Sequence, residues 1–311
     1  MSTFIYNEDG VERFGSEAAK FFHSGHAKKT QLEFYRKTAI DEEMEKPHKS
    51  AWLPITPRGV AVFARARVGR LWVFQFIVAF AASLLIAWFV NTAWFSIVRQ
   101  AILQFPAEGE ISDQHLHWAD ESPQLLAEGH FLAFSVDGKN TAAIRSPAHV
   151  QVEFGDHHIR VHSLFGYAEY GYPQGWYPFN RTKLEPVWGA WRPMVLAGLA
   201  LAVLVGLLMS WVFLATIYSL PVWLVGFFTN RDLDFRASWK LAGAALMPGA
   251  LFLMVAIFIY AIGLLDAMQL IAGFALHFLI GWVYLFTAPF FLPAASSAAV
   301  AKNPFTQPKK S

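Results

Sequence analysis

The sequence predicts an α-helical integral membrane protein with four transmembrane helices and a small, mainly antiparallel β domain inserted between helices 1 and 2. Two observations carry this prediction. Four stretches lack a formal charge, and each exceeds the ~20 apolar residues that a helix needs to cross a bilayer. These stretches are 71–98, 194–230, 241–265 and 267–301. The one long break between them is a polar, histidine-rich segment of about ninety residues, which is long enough to form a domain outside the bilayer.

The composition supports the same class and excludes others. The chain is 55% hydrophobic and only 15% charged, so lipid must act as solvent for part of its surface. A formal net charge of +2 makes nucleic acid a poor candidate partner. The absence of cysteine excludes disulfides, thiolate metal sites and cysteine nucleophiles.

The distribution of basic residues predicts the orientation. Residues 1–70 carry twelve lysines and arginines, and Arg65, Arg67 and Arg70 crowd against the first span, where we expect them to anchor it at the membrane surface. Segment 99–192 carries seven basic against eleven acidic residues, a net charge of −4. Basic loops stay in the cytoplasm. We therefore expect both termini and the 231–240 loop to be cytoplasmic, with 99–192 and the turn at Asp266 on the outer side.

These assignments divide the chain into eight segments. Proline at 221 should end the second helix, because its ring and missing N–H interrupt helical hydrogen bonding. The basic lead-in either lies on the inner leaflet or extends the first helix, and we favour the extension. The predicted segments are a polar, partly disordered cytoplasmic segment at 1–57, the lead-in and first span at 58–98, the external domain at 99–192, the second span at 193–220, a cytoplasmic interfacial loop at 221–240, spans at 241–265 and 267–295, and a cytoplasmic tail at 296–311.

The external segment reads as β structure. Alternation over 148–154, a Gly-Asp turn and alternation over 158–162 predict one hairpin. Segment 131–136, a polar turn and 141–145 predict a second hairpin, and a short strand is expected around 116–118. Segment 166–179 is rich in glycine and proline, so we expect irregular structure there. Its Trp176, with Trp188 and Trp191, fits an aromatic collar at the outer interface. The alternative is a platform that binds carbohydrate or lipid.

Histidines offer the strongest chemical signal of the external segment. His115 and His117 stand at alternate strand positions and share one face, as do His158 and His162. Imidazoles from adjacent strands suit Zn²⁺ or Cu²⁺, so these four residues form the candidate metal site, where zinc is the ion that we consider for this chain. Apart from such an ion, we expect no cofactor. Solvent-facing histidines are the default alternative, and pH sensing is another.

Two residues stand out within the spans. His277 is the only ionisable side chain well inside a span, and we expect a carbonyl or hydroxyl of a neighbouring helix to satisfy it. Pro248 with Gly249 should kink the third span. A kink of this kind serves either as a gate or for packing.

Four segments carry a resemblance to a known family. They are TPRGVAVFARARVGRLW before the first span, FPAEGEISDQHLHW and FLAFSVDG in the external segment, and LDFRASWKLAGAALMPGALFL at the third span. The chain resembles bacterial four-span membrane proteins of unknown function, which include a maltodextrin-utilisation protein and are similar in their membrane part to Yip-type proteins. It departs from them in its first fifty or so residues and in 165–191. The resemblance implies a multi-pass protein of the bacterial cytoplasmic (inner) membrane, without established catalytic residues.

Three functional classes stay open at this level. The favoured one is a non-catalytic membrane protein that binds or organises another membrane or envelope protein, because the external domain offers surface while the spans lack ionised groups. The second is a transport component, against which the missing intramembrane acidic residues count. The third is a membrane-anchored, metal-dependent envelope enzyme that uses the external histidines. The sequence does not indicate an oligomeric state.

Overall fold

The computed structural model describes residues 53–119, 122–141 and 143–294, and every structural statement below concerns these residues. They form two β-sheets and six α-helices. Five of these helices make up four helical stretches that are long and apolar enough to cross a membrane, since two of the five form one continuous stretch. The helices are α1 (Pro57–Arg65), α2 (Val68–Phe89), α3 (Phe95–Leu103), α4 (Arg181–Phe228), α5 (Phe235–Ala261) and α6 (Ala267–Thr287). The predicted N-terminal segment, except its last five residues, and the predicted tail lie outside the described residues.

The basic lead-in folds as a separate helix, so the expected continuous extension of the first span is wrong. Helix α1 begins with Thr56, whose Oγ1 accepts a hydrogen bond from the Gly59 N–H at 3.1 Å. The backbone becomes extended at Ala66, with ψ 160°, before α2 starts. Val60 and Phe63 are fully buried against the other helices. Burial of this apolar face holds α1 against the end of the helix bundle.

The helix that contains the first predicted span is longer than the uncharged stretch 71–98. Helices α2 and α3 are joined by a π-helical turn, Val90–Trp94, and together they form one apolar helix over Val68–Leu103. Its last turns continue past the predicted end because Ile97 and Ala101 are buried in the core of the β domain. The first span therefore also serves as part of that domain's core.

Helix α4 contradicts the predicted break at Pro221. It is one helix of 48 residues that runs through Pro186, Pro193 and Pro221. Each proline removes only one intrahelical donor, and packing or hydroxyl side chains can compensate in an apolar environment. Val222, directly after the third proline, is fully buried in the helix bundle and holds the last turns in place. The predicted 221–240 loop is consequently reduced to the short connection between α4 and α5.

Helix α5 lies at the centre of the bundle and contacts α1, α2, α4 and α6. Its small residues permit this, since Ala242, Gly243, Ala244 and Ala245 are all buried, as expected for a surface of close helix contact. Helix α6 begins at Asp266, which is the N-cap of a complete capping box with Gln269. Its predicted span, 267–295, is shorter in the structure because a 3₁₀ turn, Ala288–Phe291, replaces the final α-helical turns.

The β domain contains eight strands in two sheets. They are β1 (Gly109–Ser112), β2 (His115–Trp118), β3 (Gln124–Glu128), β4 (Leu132–Asp137), β5 (Val150–Gly155), β6 (His158–Ser163), β7 (Gly166–Gly171) and β8 (Tyr177–Pro178). The first sheet has the order β2-β1-β8 and the second β3-β4-β5-β6-β7. All pairs are antiparallel except β4–β5. The mainly antiparallel prediction, the β5–β6 hairpin and the strand at β2 are confirmed.

Two predictions within the β domain are wrong. Strand β4 does not form a hairpin with 141–145; it pairs with β3 and, in parallel, with β5. A parallel pair needs a crossover, and the intervening loop supplies it over one face of the sheet. Gln151 fixes that loop through hydrogen bonds to the Ile144 carbonyl and from the Ser146 N–H, both 3.1 Å. Segment 166–179, expected to be irregular, contains β7 and β8, because pairing with β6 and β1 overrides its glycine content.

The two ends of the helix bundle carry different parts of the chain. At one end, the side chain of His149 from the β domain bonds the Tyr260 hydroxyl near the end of α5, at 2.8 Å. At the other end, Arg65 pairs with Asp232 at 3.2 Å and Arg231 donates to the Leu292 carbonyl at 2.7 Å. The β domain and the α5–α6 turn therefore lie at one end, and α1, the α4–α5 connection and the segment after α6 at the other.

Candidate functional site

The β domain brings two histidines and one aspartate together where two hairpin turns meet. His115 Nδ1 lies 3.3 Å from Asp156 Oδ1, and His157 Nε2 lies 3.3 Å from Asp156 Oδ2. The two imidazole rings are 3.9 Å apart between centroids. The main chain supports this cluster, since the Leu116 N–H donates to the Asp156 carbonyl at 2.7 Å. The cluster thus links β2 of the first sheet to the β5–β6 turn of the second.

The four histidines predicted as metal ligands do not form one set. His117 lies further along β2, with its ring centroid 6.4 Å from that of His115. His158 Nε2 receives a hydrogen bond from Arg160 at 3.0 Å, and His162 Nε2 lies 3.7 Å from Glu153. The predicted pair on β6 is therefore occupied by an ion-pair network rather than directed at β2. The strand pattern does not select His157, because this residue stands in a turn outside any alternation, although it lies close to the predicted pairs in sequence. Asp156 is one of several external carboxylates that the sequence offers beside these histidines, and the sequence does not single it out.

That ion-pair network covers one face of the second sheet. Arg160 on β6 lies between Glu153 on β5, at 2.9 Å, and Glu169 on β7, at 2.7 Å. The Glu169 hydrogen bond is the main cause that raises the pKa of Arg160, and Arg160 in turn lowers the pKa of Glu169. Burial, followed by the charge of Arg145, lowers the pKa of His162. Because the Glu153 side chain is only 1% exposed, we interpret this network as structural: it connects β5, β6 and β7 through their side chains.

Strand β7 forms an open edge of the same sheet. All six of its residues are exposed, and no further strand pairs with it in the described part of the chain. Phe165, Tyr167 and Tyr170 are 86%, 66% and 61% exposed along this edge and its turn. Large apolar side chains on an edge strand form a surface on which another chain can add a strand.

The tryptophans predicted to form an aromatic collar occupy different environments. Trp176 is 61% exposed and donates from Nε1 to Glu110 at 2.5 Å, which ties its loop to β1. Trp188 on α4 packs edge-on against Phe95, with ring centroids 4.8 Å apart. Trp191, one turn further along α4, is 59% exposed. Their anchoring role at an outer interface stays a prediction.

The predicted basic anchors also have distinct local roles. Arg65 is exposed and paired with Asp232. Arg67 is exposed at the N-cap of α2. The Arg70 guanidinium lies over the Phe63 ring, 4.9 Å from its centroid, and so contacts the buried face of α1. Contact of these three residues with lipid stays a prediction.

Polar groups within the spans are few. His277 lines a largely apolar cavity of about 350 Å³ between α2, α4, α5 and α6, where Trp282 donates to the Tyr218 hydroxyl at 3.1 Å. Nδ1 of His277 contacts the Phe274 carbonyl of its own helix, in contrast to the expected partner on a neighbouring helix. The sequence interpretation missed Gln75, which is 1% exposed and donates to the Gly243 carbonyl at 3.4 Å.

The Pro248–Gly249 pair marks a close approach between two helices. Helix α5 continues through Pro248 without interruption. A Cβ at Gly249 would lie 2.4 Å from the His277 carbonyl oxygen, so α6 approaches α5 too closely for any larger residue. Packing therefore explains the glycine, and the predicted kink stays a prediction.

We compared the chain with known protein families, curated proteins and solved structures. No family model, no curated protein and no solved structure matches the chain. The resemblance to bacterial four-span membrane proteins therefore stays a prediction.

Proposed function

We propose that this protein is a non-catalytic protein of the bacterial cytoplasmic membrane whose external β domain binds and organises another envelope protein. The observation that carries the proposal is the open edge of β7. An edge strand with free main-chain donors and acceptors binds an extended segment of a partner by β-augmentation. We assign an extended segment of a second envelope protein as the occupant.

The two edges of the second sheet differ in a way that supports this proposal. Strand β3, at the opposite edge, has an irregular register between Leu125 and Ala127 and packs against α3. Bulges and covering helices protect a sheet edge from unwanted pairing. Strand β7 has regular pairing with β6 and exposure along its whole length. An open edge at β7, on a sheet whose opposite edge at β3 is protected, is consistent with a binding role.

The side chains around β7 suit a protein partner. Tyr167 and Tyr170 carry both apolar area and a hydroxyl, a combination enriched at interfaces. Glu169 on the same strand is paired with Arg160, so its carboxylate is not an isolated charge at the centre of the edge. The adjoining turn places Phe165 almost fully in solvent, where it can enter a pocket of the partner.

The experiment uses a photo-crosslinking amino acid placed in β7 of the full chain in native membranes. With the crosslinker at Tyr170, we expect an adduct with one defined envelope protein. Adding Phe165→Lys should lower the adduct yield several-fold, because it removes an apolar anchor and places a charge in the contact. Purified complex should also show slower hydrogen exchange of the β7 amides than the protein alone.

The opposite edge supplies the matched control. Leu125 is 39% exposed on β3 of the same sheet, and a crosslinker there should not capture the partner. Equal adducts from both positions, or no adduct from position 170, would refute the proposal. An adduct with a second copy of this chain would replace it with a homodimer interface.

A further inference from the structure

We propose that His115, Asp156 and His157 form a Zn²⁺ site that joins the two sheets of the β domain. This site takes none of its ligands from β7, so it does not rest on the function proposed for that edge. It also differs from the set that the sequence predicts, since it keeps one residue of β2 and takes its other ligands from the β5–β6 turn.

The separation of the ligand atoms matches zinc coordination. A zinc ion holds nitrogen and carboxylate oxygen ligands at about 2.0–2.2 Å, so adjacent ligand atoms in a tetrahedral site lie roughly 3.3–3.5 Å apart. Each imidazole nitrogen of the cluster lies 3.3 Å from an oxygen of Asp156. The three ligand atoms all lie within 4.8 Å of one another. Small rotations of these exposed side chains would bring the remaining pair, the two imidazole nitrogens, to the separation found in a tetrahedral site.

The main chain positions the ligands before any ion binds. Besides the bond from Leu116 to Asp156, the Tyr172 N–H donates to the His157 carbonyl at 3.3 Å. The Tyr172 hydroxyl donates to the Gly155 carbonyl at 2.9 Å, and Gln114 Nε2 donates to the Tyr172 carbonyl at 3.2 Å. Tyr172 therefore connects the two turns that supply the ligands. Because the main chain of both turns is already held in place, an ion orders only the ligand side chains when it binds.

The ligand types select the ion. Two imidazoles and one carboxylate suit Zn²⁺, whereas Mg²⁺ and Ca²⁺ prefer oxygen ligands alone. The side chains of His115, Asp156 and His157 are 44%, 36% and 56% exposed, so the fourth position of the ion faces solvent. The ion would compensate the Asp156 carboxylate and connect β2 to the β5–β6 turn.

The test measures Zn²⁺ binding to the full chain in detergent by titration calorimetry, with a purification tag that contains no histidine. The chain has eleven histidines, so single variants carry the test. We expect His115→Ala and His157→Ala each to weaken the strongest Zn²⁺ site by at least about ten-fold. Zn²⁺ should raise the unfolding temperature of the parent protein and have little effect on that of either variant.

His162→Ala provides the matched control, because His162 lies on the adjacent strand and contacts Glu153 rather than the cluster. It should retain the parent's Zn²⁺ affinity. The conservative variant Asp156→Asn keeps the turn geometry and should weaken binding as the histidine variants do. Affinities within two-fold of the parent for both histidine variants, or an equal loss for His162→Ala, would overturn the proposal.

Discussion

His149 shows how one residue connects the β domain to the helices and makes stability depend on pH. Its Nδ1 bonds the Tyr260 hydroxyl at 2.8 Å, and its ring packs 4.7 Å from that of His130, between centroids. Burial is the main cause that lowers the pKa of His149, followed by the charge of His130, while Asp266 acts in the opposite direction. Since the folded state disfavours the protonated ring, the contribution of His149 is complete above about pH 6.5 and is lost as the pH falls through its lowered pKa.

We therefore expect His149→Asn to make the protein less sensitive to acid. The fall in unfolding temperature between about pH 7.5 and about pH 5.5 should be smaller in the variant than in the parent, by a margin on the order of 2 °C. Thermal unfolding in detergent, followed by tryptophan fluorescence, measures this difference. The matched control is His117→Asn, the same substitution at an exposed position of β2. An unchanged or steeper acid sensitivity in His149→Asn would contradict this account.

Helices α5 and α6 form a pair whose contact depends on the absence of a side chain. A Cβ at Gly249 would lie 2.4 Å from the His277 carbonyl oxygen and 3.5 Å from the Gly281 nitrogen. Backbone atoms cannot rotate away, so Gly249→Ala must push the helices apart. Overpacking of this kind costs roughly 1–3 kcal/mol, more than the ~0.5–1 kcal/mol that alanine gains over glycine within a helix. Gly249→Ala should lower the unfolding temperature by several degrees.

A second glycine in a helix of the same bundle supplies the control. Nothing lies within 4 Å of a Cβ built at Gly206 on α4, so Gly206→Ala should leave the unfolding temperature unchanged or raise it. Both variants are compared in the same thermal assay. If the two alanines had the same effect, the close approach at Gly249 would not determine stability.

Elements with a local signal were predictable from the sequence, and elements that depend on distant partners were not. Alternation and a two-residue turn identified the β5–β6 hairpin, because both encode pairing within a few residues. Strand β4 was assigned to the wrong partner, since its parallel pairing with β5 depends on a crossover without a local pattern. Pro221 breaks a helix by local rules, but burial of Val222 against distant residues keeps α4 continuous.

The candidate site shows the same limit. Strand alternation selects His115, whereas no local pattern selects Asp156 and His157 from the other external carboxylates and histidines. Only the meeting of two turns from two sheets brings these three residues together. Gln75 illustrates a different omission, because a search for charges within apolar stretches passes over a neutral amide. Its side chain is nevertheless buried between helices and bonded to the Gly243 carbonyl. Sequence patterns thus predict elements better than they predict which elements meet.

At the scale of the whole molecule, the helix bundle of the described residues has two chemically different ends. The end with α1 and the α4–α5 connection carries Arg58, Arg65, Arg67, Arg231 and Arg236. The other end carries the β domain, with its excess of acidic residues, and the α5–α6 turn at Asp266. Basic segments next to spans stay in the cytoplasm, so we predict that the end with α1 is the cytoplasmic one.

Cysteine accessibility tests this orientation directly, because the chain contains no cysteine and every introduced thiol is unique. Lys139→Cys is exposed in the turn after β4, and Arg236→Cys is exposed at the start of α5. In intact cells whose outer membrane has been made permeable, a membrane-impermeant maleimide should label Lys139→Cys fully. It should label Arg236→Cys only after the cytoplasmic membrane is opened, since that residue lies at the opposite end of the bundle. The reverse labelling pattern would invert the predicted orientation. Labelling of both thiols without opening the cytoplasmic membrane would show that this membrane does not lie between the two ends of the helix bundle.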